Sequence, residues 1–81
     1  MSDAVLEFIR AQAVAVLGAD PDTLDRATSL ADEYDADSVD IVEIANAIER
    51  KFGVAIADHE IYDLKCVGDF VDLVDRKLAG A

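Results

Sequence analysis

Apolar residues recur along this chain at the spacing of an α-helix, and no stretch of useful length alternates with period two. An all-helical fold follows. Val5, Phe8, Ile9, Ala13, Val16 and Leu17 predict a first helix over about residues 4 to 17, with Asp3 at its cap and Gly18 just past its end. Val39, Val42, Ala45, Ile48 and Phe52 predict a second helix from Asp37 or Ser38 to about Phe52, its stripe widened by Ile41 and Ile44 and its end marked by Gly53. A short third helix is expected near residues 58 to 63. A fourth should run from Val67 to about Leu78 on a stripe of Val67, Phe70, Val71, Val74 and Leu78, with a frayed "AGA" beyond it. The expected fold is a four-helix bundle with a long first connection.

That connection, "GADPDTLDRATSLADEYDAD", contains Pro21 and many turn-forming residues. It is longer than most loops of compact domains, so it needs anchors. Leu24, Leu30 and Tyr34 are spaced to pin it over a core, and "SLADEY" can form a short helical turn.

With 81 residues the chain is expected to form one domain, residues 1–81, too small to enclose a catalytic pocket with its own supporting shell. Its net charge of -11, from 18 acidic and 7 basic residues, disfavours nucleic acid and anionic membranes and favours basic protein surfaces. A hydrophobic fraction of 53% at regular spacing argues against disorder. No apolar run approaches the roughly 20 residues that span a membrane, and no targeting segment is read at the N-terminus. The lone cysteine, Cys66, fits a reducing, cytoplasmic setting and is read as a small, partly buried residue.

Enzymatic chemistry finds little support. His59 lies in a polar stretch without a partner nucleophile, and no glycine-rich phosphate loop is present. The window from Asp32 to Glu43 has carboxylates at both ends, but Tyr34, Ala36 and Asp37 stand where a calcium loop needs two oxygen ligands and a glycine. No metal site is expected.

"EYDADSVDIVEI" is the segment that remains. Asp37 and Asp40 are spaced for a box-like cap, which would leave Ser38 a bystander in the first turn. A first-turn serine is also exposed beside unpaired backbone N–H groups and the positive end of the helix dipole, where a phosphate ester is tolerated. On local chemistry both readings stand.

Asp37-Ser38-Val39, the helix after it with Asp40, Val42, Glu43 and Phe52, the loop anchors Leu24 and Leu30, and downstream Ile56, Asp58, Leu64, Val67 and Val71 together resemble the acyl carrier protein family over nearly the whole chain. The resemblance implies a carrier that is no enzyme, with 4′-phosphopantetheine attached covalently to Ser38 between Asp37 and Val39. It implies a monomer whose partners are a phosphopantetheinyl transferase and acyl-transferring or condensing enzymes with basic docking surfaces. Val39, Asp40, Glu43 and Asn46 would form the recognition face. An acyl chain folded back between the helices would meet Val42, Ala45, Ile48 and Val71. The sequence departs from the usual family pattern at Tyr34, Asp35 (glycine is common), Val39 (leucine), Ala57 (proline), Arg50 and Lys51 (often acidic). These departures favour a specialised pathway over primary fatty-acid synthesis. Two rivals are an acidic interaction module without a prosthetic group and an aminoacyl or peptidyl carrier; Asp37 disfavours the second, where Gly-His often precedes the serine.

Overall fold

The computed structural model describes residues 2–80. Five helices follow in order: α1 (Ser2–Leu17), α2 (Leu30–Tyr34), α3 (Ser38–Phe52), α4 (Asp58–Ile61) and α5 (Val67–Gly80). Four of them answer to the expected bundle. The fifth, α2, is the helical turn anticipated within the long connection. The α1 backbone is already helical at Ser2, ahead of the expected cap; the capping role of the Asp3 side chain lies outside the described residues, as does Ala81. Helix α5 continues to Gly80 rather than stopping at Leu78.

Helices α1, α3 and α5 form the body of the bundle. Val5, Ile9 and Ala13 of α1, Ile44, Ala45 and Ile48 of α3, and Val67, Phe70, Val71 and Val74 of α5 share one buried core. Phe8 and Phe52 close one side of it edge to face, with ring centroids 5.6 Å apart and planes at 89°.

Two expected stripes need correction. The buried face of α3 is Ile44, Ala45 and Ile48, with Ile41 and Phe52 packed beside them, whereas Val39 and Val42 are 71% and 37% exposed. The helical period is the reason. Nine residues make about two and a half turns, so Val39 stands opposite Ile48 rather than above it. In α5 the buried run includes Leu73 and ends at Val74, and Leu78 projects from the last turn at 40% exposure.

The long connection is strapped down along its length. Leu24 and Leu30 are buried and Tyr34 packs against the core, with its hydroxyl 3.2 Å from Thr23 Oγ1. Arg10 of α1 donates from Nη2 to the Leu24 carbonyl at 3.1 Å. The start of α5 holds the other side: Val67 N–H donates to Thr28 O at 2.9 Å and Gly68 N–H to Arg26 O at 2.8 Å. A side chain at Gly68 would place its Cβ 3.0 Å from that Arg26 oxygen, so the loop lies against α5 closer than other residues comfortably allow. Arg26 also pairs with Asp72 at 2.7 Å, and Asp72 holds the guanidinium above its ordinary pKa. A 20-residue connection is thereby fixed as a layer of the fold.

Candidate functional site

Helix α3 begins where its sequence supplies a cap. Asp37 is extended (φ -95°, ψ -179°), and its Oδ1 accepts from Asp40 N–H at 2.9 Å. In return Asp40 Oδ2 accepts from Asp37 N–H at 3.2 Å. This reciprocal box satisfies two first-turn donors and fixes the start of the helix. Ser38 takes no part in it. It is the first helical residue, exposed, with the capping already done by its neighbours.

The chain reaches this cap through a sharp turn. Asp35 ends α2 in the left-handed conformation (φ 55°, ψ 32°), and Ala36 N–H returns to Leu30 O at 3.1 Å. Asp35 thus carries a Cβ in a conformation that glycine adopts without strain.

Beside Ser38 lies an open groove of about 490 Å³. One wall is α3 with Ile41 and Val42; the other is α4 and the residues after it, Ile61, Tyr62 and Leu64; Ala31 and Ala36 also line it. Asp37 and Asp58 are its carboxylates, and the lining holds no histidine, cysteine, lysine or arginine. Asp37 is engaged in the cap, and Asp58 stands across the groove at the start of α4. The groove thus presents an accessible hydroxyl at the edge of a mostly apolar hollow.

The expected residues separate into groups. Asp37, Ser38, Val39 and Val42 meet at the groove. Glu43 and Asn46 are exposed further along α3, and Asp40 is half-buried by its role in the cap. Ala45, Ile48 and Val71 are in the closed core and do not line the groove. Sequence reasoning missed the α4 wall. Ile61 is buried and Tyr62 is 74% exposed, and nothing in "DHEIYDL" distinguishes the two beyond its being short and mixed. His59 is exposed, and Cys66 is a free, partly buried thiol.

The chain and its fold have known counterparts. The family described as "Phosphopantetheine attachment site" matches residues 7–74. An acyl carrier protein of Thermosynechococcus vestitus is 39% identical over 75 residues, covering 93% of each chain. One from Caulobacter vibrioides is 37% identical over 79 residues, 98% of this chain and 100% of its own. The crystal structure of an acyl carrier protein from Thermotoga maritima superposes with a TM-score of 0.83 at 26% identity, over 98% of this chain and 92% of that one.

Proposed function

The chain belongs to the acyl carrier protein family, and we propose that Ser38 is where its covalent 4′-phosphopantetheine is attached. Members of this family are carriers, not enzymes. The observation that carries the assignment to Ser38 is its position. It is an exposed hydroxyl in the first turn of a 15-residue helix, left free by the Asp37–Asp40 box and standing at the groove.

The residues present fit the group. The positive end of α3 tolerates the phosphate, and the groove wall of Ile41, Val42, Ile61 and Leu64 offers an apolar surface to what the arm carries. Ser38 Oγ would attack the pantetheine-side phosphorus of the coenzyme A diphosphate, forming a phosphodiester as the P–O bond to the bridging oxygen breaks and adenosine 3′,5′-bisphosphate leaves. A partner transferase with Mg²⁺ takes the Oγ proton. Once attached, the arm supplies a thiol that holds acyl groups as thioesters. Tethering then replaces free diffusion with a high effective concentration at each partner enzyme.

Residues 1–81 act as one carrier unit. Val39, Asp40, Glu43 and Asn46 meet the partners, with the carboxylates favouring quick association with basic surfaces. A short chain lies along the groove; a longer one reaches Ala45, Ile48 and Val71 only by parting the helices. The cargo belongs to fatty-acid, polyketide or other specialised acyl biosynthesis, and the departures at Val39, Arg50 and Lys51 favour a specialised pathway. Among the described residues no helix is long and apolar enough to cross a membrane; a cytoplasmic setting is one in which a single cysteine, Cys66, stays reduced.

Intact mass after incubation with coenzyme A, Mg²⁺ and a broad-specificity phosphopantetheinyl transferase tests the assignment. Wild type gains one phosphopantetheine and Ser38→Ala gains none. Modification of Ser38→Ala, or none of wild type, sinks it.

A further inference from the structure

We propose that Lys77, in the last turn of α5, is a positioning residue for the groove beside Ser38: its ion pair with Glu60 holds the α4 wall and so limits the length of chain the groove shelters. The proposal rests on the reading of that groove as the place where a chain tethered to Ser38 lies.

Helix α4 is held on its core side, by the buried Ile56 and Ile61 and by Ile56 N–H, which donates to Glu49 Oε2 at 2.9 Å. It is four residues long, far below the length at which a helix is stable by itself. Its N-cap is Ala57, which has no side chain to cap with. Hollows flank it on both sides. The apolar groove lies toward α3, and a second, polar cleft of about 360 Å³ opens toward α5 between residues such as His59, Asp63, Asp69 and Arg76. Ile61 fixes the core side, so what a further tie can set is how closely the outer side of α4 stands to α5.

Glu60 supplies the tie. Its Oε1 accepts from Ala57 N–H at 2.9 Å, closing the first turn of α4, and from Lys77 Nζ at 3.0 Å, joining that turn to α5. Both side chains are 25% exposed, so the pair is partly shielded from solvent. The same oxygen thus orders α4 and fixes its distance from α5. Ile61, Tyr62 and Leu64 follow directly and form the groove wall. Lys77 is not itself part of the groove lining and acts through Glu60.

Hydrogen exchange on the full unmodified chain is the first test. Lys77→Met keeps the apolar stem and deletes the charge. Amides of residues 57 to 64 should then exchange roughly fivefold faster, those of α1 and α5 should not change, and Lys77→Arg should restore slow exchange. The second test loads Ser38 from octanoyl- and hexadecanoyl-coenzyme A, with loading verified by intact mass, and follows thioester cleavage by hydroxylamine. Wild type should shelter the octanoyl thioester better than the hexadecanoyl one; Lys77→Met should shelter both alike. Unchanged exchange, or faster exchange spread over α1 and α5, overturns the latch. Hexadecanoyl cleavage unaffected by Lys77→Met overturns its role in chain length. Wild type that fails to load overturns the Ser38 reading, and the exchange experiment on the unmodified chain still decides the latch.

Discussion

The two ends of α3 do opposite work. From Ile44 to Phe52 the helix is an anchor, with Ile44 and Ile48 wholly buried and Phe52 set edge-on to Phe8. From Ser38 to Glu43 it is a platform, with Val39 and Val42 turned outward beside an exposed serine and Ile41 half-buried. Branched apolar residues stand at both ends, Val39, Ile41 and Val42 at one and Ile44 and Ile48 at the other. What differs is their phase relative to α1 and α5. Apolar character alone does not assign a residue to the core; its angle on the helix does.

The largest expected effect comes from truncating each end alike. Ile48→Ala removes a buried branched side chain from the anchor and should cost about 2–5 kcal/mol, a large part of what a bundle of this size holds. Val39→Ala removes an exposed one from the platform and should change stability by no more than about 0.5 kcal/mol, while slowing transfer of phosphopantetheine to Ser38. Urea unfolding and transfer rates measure both. Equal losses of stability would abolish the distinction between the two ends.

How much of this was legible in the sequence follows the same division. The limits of α3 are written locally: Asp37 and Asp40 at box spacing, Gly53 where the chain turns left-handed (φ 69°). The loop anchors Leu24 and Leu30 are apolar residues in a polar stretch, and both are buried. The outward phase of Val39 was available from helix geometry, but a wide apolar stripe disguised it. The α4 wall was not available. Ile61 and Tyr62 are adjacent large side chains in a segment too short for a period, and only tertiary placement buries one and exposes the other.

The capping box sharpens the comparison further. Asp37→Ala should cost about 1 kcal/mol and slow modification of Ser38 by fraying the first turn. Asp40 has two possible roles, since its carboxylate also completes that box. Glu43 is exposed and outside the box. Glu43→Gln should therefore slow transfer at low salt without lowering the melting temperature, whereas Asp40→Asn should do both. Transfer kinetics and thermal unfolding across ionic strength separate the roles. A melting temperature lowered equally by the two changes would return both residues to a purely structural function.

Charge also sets the pH response. Asp69 accepts from the N–H groups of Lys65 and Cys66, and these bonds hold its carboxyl below its ordinary value. Glu60 is held low by Ala57 N–H and then by Lys77. For a depressed carboxyl the stabilisation is fully present above the unfolded-state pKa and is lost as pH falls through the folded value. The melting temperature should therefore drop below the ordinary carboxylate range. At pH 7, with a net charge of -11, added salt should raise it; near the isoelectric point of about 4.1 that benefit should vanish. Calorimetry over pH and salt checks both. A salt benefit that persists at the isoelectric point would mean that self-repulsion is not its cause.

The smallest expected effect lies at Asp35, where the strapped loop hands the chain to the platform. Its left-handed backbone (φ 55°, ψ 32°) burdens a residue with a Cβ, though aspartate less than most. Glycine adopts this conformation freely but loses about 0.5–1 kcal/mol more backbone entropy on folding. Asp35→Gly should therefore stabilise by only about 0.5 kcal/mol, and Asp35→Ala should destabilise by about 1 kcal/mol. Charge confuses the measurement, because Asp32, Glu33, Asp37 and Asp40 lie nearby in the chain and removing any one carboxylate relieves repulsion. Asp35→Asn resolves this, since asparagine tolerates the same backbone and carries no charge. A gain in Asp35→Gly alone, constant with salt, identifies backbone strain. Equal gains in Asp35→Gly and Asp35→Asn that disappear with salt identify repulsion. Transfer to Ser38 should be unchanged in both variants, because the Asp37–Asp40 box, rather than the turn before it, sets the first turn of α3. A slowed transfer in Asp35→Gly would move part of that control back into the turn.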